Sequence, residues 1–145
     1  MIEATYRNRF VRFFTDSHAR PWLLKAARII GWLLAAAIAV FSLVPPDLRP
    51  VTDAPHALEH FVIFAATGLA FGIGYGPRYP IAIALVIFAG AIEVAQLAVP
   101  GRHARLSDFI VDAFAAYMGF LASYVVAQKL EATFDPEFRR HPADD

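Results

Sequence analysis

Four apolar runs, each set off by proline or glycine, constrain this chain more than any other feature of it. They cover roughly residues 22–44, 56–75, 80–99 and 107–130. A helix crosses the hydrocarbon of a bilayer in roughly 18–20 residues, and all four runs reach or approach that length. Prolines fall at the starts of the runs or between them, where their missing N–H costs a helix nothing. The composition agrees: 58% of residues are hydrophobic and 18% charged, against about 45–50% and about 25% in soluble domains. The expected fold is all-α, a single membrane domain built as a four-helix transmembrane bundle.

The flanks read differently. Residues 1–21 interleave Arg7, Arg9, Arg12 and Arg20 with Phe10, Phe13 and Phe14. The phenylalanines share one helical face, which predicts an N-terminal interfacial amphipathic helix, a juxtamembrane segment rather than a cleaved signal. Residues 22–130 hold the four spans, and 131–145 read as a mobile polar tail. Pro46 to Pro55 reads as an ordered loop, and Gly74, Gly76, Pro77 and Pro80 predict a tight turn around Arg78. Four spans put both ends on one side. Arg7, Arg9, Arg12, Arg20, Lys25, Arg28, Arg78, Lys129, Arg139 and Arg140 then share a face, leaving Arg49, Arg102 and Arg105 opposite, and the bias predicts cytoplasmic termini. Net charge is zero, so no global field draws nucleic acid. The chain has no cysteine, which excludes thiol nucleophiles, thiolate metal sites and disulfides.

Charge inside the runs is therefore the informative part. A carboxylate at mid-bilayer costs about 2.5–3.5 kcal/mol on insertion scales, so it persists only when partnered, wetted or used. The stretch Glu93 to Asp112 leaves the third run through Pro100-Gly101, passes Arg102, His103 and Arg105, and enters the fourth run with Asp108 and Asp112. His60 lies about one turn into the second run from the same side. Counting ~1.5 Å per residue puts Glu93, His60 and Asp112 at similar depths, roughly 6–10 Å below the helix ends. Glu93 and Gln96 share a face, as do Asp108 and Asp112. Ser107 is placed to cap the fourth helix. Two small-residue stripes, Gly68-x-x-x-Gly72 and Asp112, Ala115, Ala116, Gly119, predict close helix packing. The expected site is a polar pocket opening outward, with Arg102 and Arg105 at its rim.

These motifs resemble the VanZ-like family of integral membrane proteins: His60 in E-H-F-V-I-F, Glu93 and Gln96 in E-V-A-Q, the turn Pro100-Gly101-Arg102, and Asp108 in S-D-F-I-V-D. The likeness runs from about Ser42 to Ser123. Two positions depart from the pattern, Asp112 where the family has asparagine and Ala115 near where it has glycine. The resemblance implies a multi-pass protein of the bacterial inner membrane. It also implies a link to lowered susceptibility to the lipoglycopeptide antibiotic teicoplanin, for which the family is named.

The residues themselves support the following reading. His60, Glu93 and Asp108 are the catalytic candidates: Glu93 as general acid or base, His60 as its partner, Asp108 orienting His60 or Arg102. Gln96, Arg102, Arg105 and Asp112 are the binding candidates, the arginines matched to an anionic headgroup. The expected ligand is a membrane lipid or a lipid-linked envelope precursor, with no cofactor. Recognition alone and recognition with acid/base modification both stay open, as does a non-enzymatic network that only fixes helix packing. The string His56-Ala57-Leu58-Glu59-His60 also matches the H-x-x-E-H zinc hydrolases, though so short a string arises easily by chance. A nucleophile built from Ser107, His60 and Asp108 is weaker than the capping role of Ser107. A transporter would need polar groups along the whole path, and the cytoplasmic halves of the runs are apolar.

Overall fold

The computed structural model describes residues 21–45, 55–76, 78–101 and 105–134. Among them the regular elements are four helices: α1 (Pro21–Leu43), α2 (His56–Tyr75), α3 (Tyr79–Gln96) and α4 (Leu106–Phe134). All four are long and apolar enough to cross a membrane, and the chain is a multi-pass membrane protein. The segment expected to form an interfacial helix, Met1–Arg20, lies outside the described residues, as do most of the Pro46 loop and the last part of the tail.

The local punctuation explains the boundaries. Gly76 ends α2 at φ 76°, a conformation that costs a residue with a Cβ. Pro80 occupies the first turn of α3, where its missing N–H is harmless. Beyond Gln96 the chain turns, and Gly101 takes φ 79°. The fourth helix starts before Ser107 and runs into the segment read as tail, reaching Phe134. The carbonyl of Arg105 accepts from the N–H groups of Asp108 and Phe109. Arg105 therefore holds the cap position, and Ser107, expected there, sits inside the first turn with its hydroxyl donating to Asp108 Oδ1.

Packing is not in chain order. The most extensive interface joins α2 to α4; α1 flanks α2 and α3 flanks α4. The two central helices approach backbone to backbone. A Cβ on Gly68 would lie 2.0 Å from the Ala116 carbonyl oxygen, one on Gly119 would lie 1.8 Å from that of Ala65, and one on Gly72 would strike Ser123. Glycine is thus required on both sides of one seam, and the two small-residue stripes read from the sequence face each other across it. Contacts advance in step along the pair, from His60 with Asp112 to Gly72 with Ser123, so α2 and α4 run parallel.

Helix α1 runs antiparallel to α2. Arg28 Nε donates to the Gly74 carbonyl at 2.7 Å, its guanidinium lies 5.0 Å over the Tyr75 ring, and Trp32 Nε1 donates to Tyr75 Oη at 2.9 Å. Arg28 thereby satisfies an end carbonyl of α2 that the helix itself leaves unpaired. The core draws Ile38, Phe64, Leu85, Ala89, Ile92, Ala115, Ala116 and Phe120 from all four helices. Trp22, Ile29, Leu33, Ile87, Val94 and Phe114 are exposed and provide the apolar outer surface that lipid requires.

Candidate functional site

Polar side chains buried in this bundle concentrate at one end, where α2 and α4 begin and α3 finishes. Parallel α2 and α4 bring their first turns together, and antiparallel α3 delivers its last turn to the same place. His60, Glu93, Gln96, Asp112 and Ser42 are all buried there. Deeper in the bundle the buried hydroxyls are absorbed locally: Thr67 donates to the Ile63 carbonyl and Ser123 to that of Phe120.

The inner tier is an imidazole–carboxylate pair. His60 Nδ1 lies 3.1 Å from Asp112 Oδ2 and 3.2 Å from Oδ1, and Asp112 is only 1% exposed. A carboxylate accepts and does not donate, so the contact places the proton on Nδ1. Phe64, one turn deeper, stacks on the imidazole with ring centroids 6.2 Å apart. The seam of glycines below sets how closely the two helices approach, and hence whether short side chains can meet across them. The expectation that Asp108 orients His60 is corrected here: Asp112, at the small-residue face of α4, makes that contact. Asp108 is half-buried and accepts from Ser107 instead.

Glu93 forms an outer tier. Its carboxylate accepts the backbone N–H of Arg105, just before α4 begins. The carboxyl thus sits at the N-terminus of a 29-residue helix, where unpaired N–H groups are available to it. Asp112 lies about two turns farther along α4, roughly 10 Å at ~1.5 Å per residue. Glu93 and Asp112 are consequently not level, as counting from run ends had implied. The count failed because α3 ends at Gln96 and the chain then turns through Val99 and Pro100, so Glu93 sits less than one turn from its helix end. It is buried, turned toward α4 and away from lipid.

Gln96 continues the buried face of α3 that holds Ala89, Ile92 and Glu93, at 5% exposure. Among the described residues its side-chain amide has no hydrogen-bond partner. Arg105 is exposed, and it reaches Glu93 through its backbone rather than its guanidinium. Arg102 lies outside the described residues, as does the side chain of His56 on which the H-x-x-E-H reading depends. No group of three or more His, Cys, Asp or Glu placed to hold a metal ion occurs among the described residues.

Comparison with protein-family models, with curated proteins and with solved structures found no match. Any functional reading therefore has to come from the residues and their arrangement. What they provide is an oriented imidazole held by a carboxylate, a second carboxyl at a helix N-terminus, and a buried amide with no partner among the described residues. Sequence reasoning assigned Asp112 to binding and missed it as the partner of His60. The signal was present in the facing stripes of α2 and α4, since Asp112 opens the stripe that carries Gly119.

Proposed function

We propose that the polar end of this bundle binds the headgroup region of a membrane lipid or lipid-linked envelope molecule at the periplasmic face, as the VanZ-like motifs imply, and that His60 and Asp112 supply acid/base chemistry there. The supporting observation is the buried His60–Asp112 pair at 3.1 Å, with a buried Gln96 amide that has no partner among the described residues at the same end of the bundle. A pair of this kind is a costly way to hold two helices that glycine packing already joins. Apolar residues of similar volume would often stabilise such a contact as well or better. An imidazole whose Nδ1 is held by a carboxylate has the tautomer and orientation a general base needs. Arg105, exposed at the start of α4, is positioned for an anionic headgroup, and Arg102 is proposed to join it.

The direct test is mass spectrometry of lipids that copurify with the protein from a bacterial membrane. One lipid class should be enriched over its bulk abundance, and Gln96→Leu should release it while the thermal midpoint is kept. Recovery of lipids at bulk proportions would overturn the reading. Glu93→Gln separates the roles of the outer carboxyl, because the amide oxygen still accepts the Arg105 N–H. Function retained in that variant would take proton transfer away from Glu93 and leave it a structural role.

One observation favours a second, non-enzymatic reading: Glu93 and Asp112 both already have partners inside the protein. On that reading the network is a clasp between helices. Substitutions at His60 and Asp112 would then lower stability and any cellular effect, including antibiotic susceptibility, in parallel.

A further inference from the structure

We propose that Arg28, with Lys25 beside it on α1, holds the phosphate of an anionic phospholipid at the end of the bundle opposite His60. This site is separate from the pocket proposed above and stands without it. Arg28 Nε donates to the Gly74 carbonyl at 2.7 Å, and the guanidinium lies 5.0 Å from the centre of the Tyr75 ring. That ring is itself fixed: Trp32 Nε1 donates to its hydroxyl at 2.9 Å, and Phe71 stacks on it with centroids 5.8 Å apart. Gly74 admits the arginine, since a Cβ there would lie 2.8 Å from Arg28 Cγ and 2.9 Å from the Arg28 backbone nitrogen. The guanidinium is therefore held in one place before any ligand arrives.

What holds Arg28 does not neutralise it. A carbonyl and an aromatic ring carry no net charge, so they orient the guanidinium and leave its charge unmatched. Its Nη groups make no hydrogen bond or ion pair among the described residues. Lys25, three residues earlier on the same face of α1, is exposed and likewise has no ion pair among them. The carboxylates whose side chains are described, Glu59, Glu93, Asp108 and Asp112, all lie at the opposite end of the bundle. Charges in a membrane span are ordinarily matched by a partner. Here two cations share a face, and the described residues offer them no anion.

Level and charge select the ligand. The contacts with Gly74 and Tyr75 put the Arg28 guanidinium where α2 ends. The Trp32–Tyr75 pair beside it is of the kind that marks the boundary between hydrocarbon and headgroups. Arg28 is exposed at that boundary. The anion at that level is the lipid phosphodiester, and a planar guanidinium bonds two of its oxygens at once. Lys25 lies about 4.5 Å farther out along α1, where it adds positive charge beside the same headgroup. A zwitterionic lipid would bring its own ammonium up to that lysine. A headgroup whose one charge is the phosphate, as in phosphatidylglycerol, meets no such repulsion.

Native mass spectrometry tests this on the full-length protein in detergent, titrated with phosphatidylglycerol or with phosphatidylethanolamine of the same acyl chains. Phosphatidylglycerol should bind about 10-fold more tightly, the scale set by two cations near a membrane surface. Lys25→Gln should weaken that binding by about 5-fold, and Arg28→Gln by about 10-fold or more. Arg28→Lys keeps the charge and loses the fork, so it should recover only part of the loss. Arg28 also joins α1 to α2, so its variants are read beside their thermal midpoints. Lys25→Gln breaks no described contact and carries the test if they unfold. Equal affinity for the two lipids, or wild-type affinity in Lys25→Gln or in folded Arg28→Gln, would overturn the proposal. Full displacement of phosphatidylglycerol by an equal concentration of inorganic phosphate would overturn the lipid as the occupant.

Discussion

The side chain that decides most about this site is Asp112. It is the most deeply buried carboxyl among the described residues and meets a histidine from a parallel helix. Removing one member of a buried polar pair leaves the other desolvated without compensation, which generally costs more than the pair itself contributes. Asp112→Leu should therefore lower stability by about 1–3 kcal/mol, read as thermal or denaturant unfolding in detergent. Asp112→Asn keeps an oxygen that accepts from Nδ1–H and should cost less than half as much. An equal loss for both would mean that charge, rather than hydrogen bonding, holds His60. The partner of His60 was only partly legible in the sequence. Asp108 and Asp112 share a helix face, and spacing alone does not say which reaches a neighbour.

The central pair of helices is a packing solution first and a site second. Across the seam of α2 and α4 a methyl group at Gly119 would fall 1.8 Å from the Ala65 carbonyl oxygen, which is backbone and cannot swing aside. Gly119→Ala should force the helices apart and destabilise by roughly 1–3 kcal/mol or more, the usual cost of overpacking. At Gly90 the nearest atom to such a methyl is a Phe109 ring carbon at 3.4 Å, an ordinary contact. Gly90→Ala should be neutral or slightly stabilising, since alanine favours helix. Comparing the unfolding midpoints of the two variants checks both. Separation of the helices by Gly119→Ala should also break the His60–Asp112 contact, because neither side chain is long enough to follow. These stripes could be read from the sequence as surfaces for close packing, though which stripe meets which could not.

At the scale of the molecule, four crossings with basic residues biased to one side give a definite expectation for topology. The absence of native cysteine makes it simple to check, because single cysteines can be introduced without background. A cysteine at Gly101 should react with a membrane-impermeant maleimide in intact cells, and one at Arg78 should react only after the membrane is opened. The reverse pattern would place the polar end in the cytoplasm and remove the periplasmic ligand proposed for it. The same arrangement limits the site to one half of the bilayer. Beyond Phe64 the core of the bundle is apolar or locally satisfied, which is unsuited to a continuous path across it.

The number of helices, their approximate limits and the presence of polar groups at one end followed from the sequence, because hydrocarbon allows only long apolar helices and charges a penalty for every ionisable group it holds. His60 and Glu93 were identifiable for that reason, and Gln96 by sharing a helix face with Glu93. Partnership was decided by tertiary structure. Glu93 turned to a backbone N–H of the next helix, a donor present at every residue and so invisible in composition. Asp112 met His60 because glycines let α2 and α4 touch. Hydropathy records what a residue may be buried in; the direction in which helices pack decides what it is buried against.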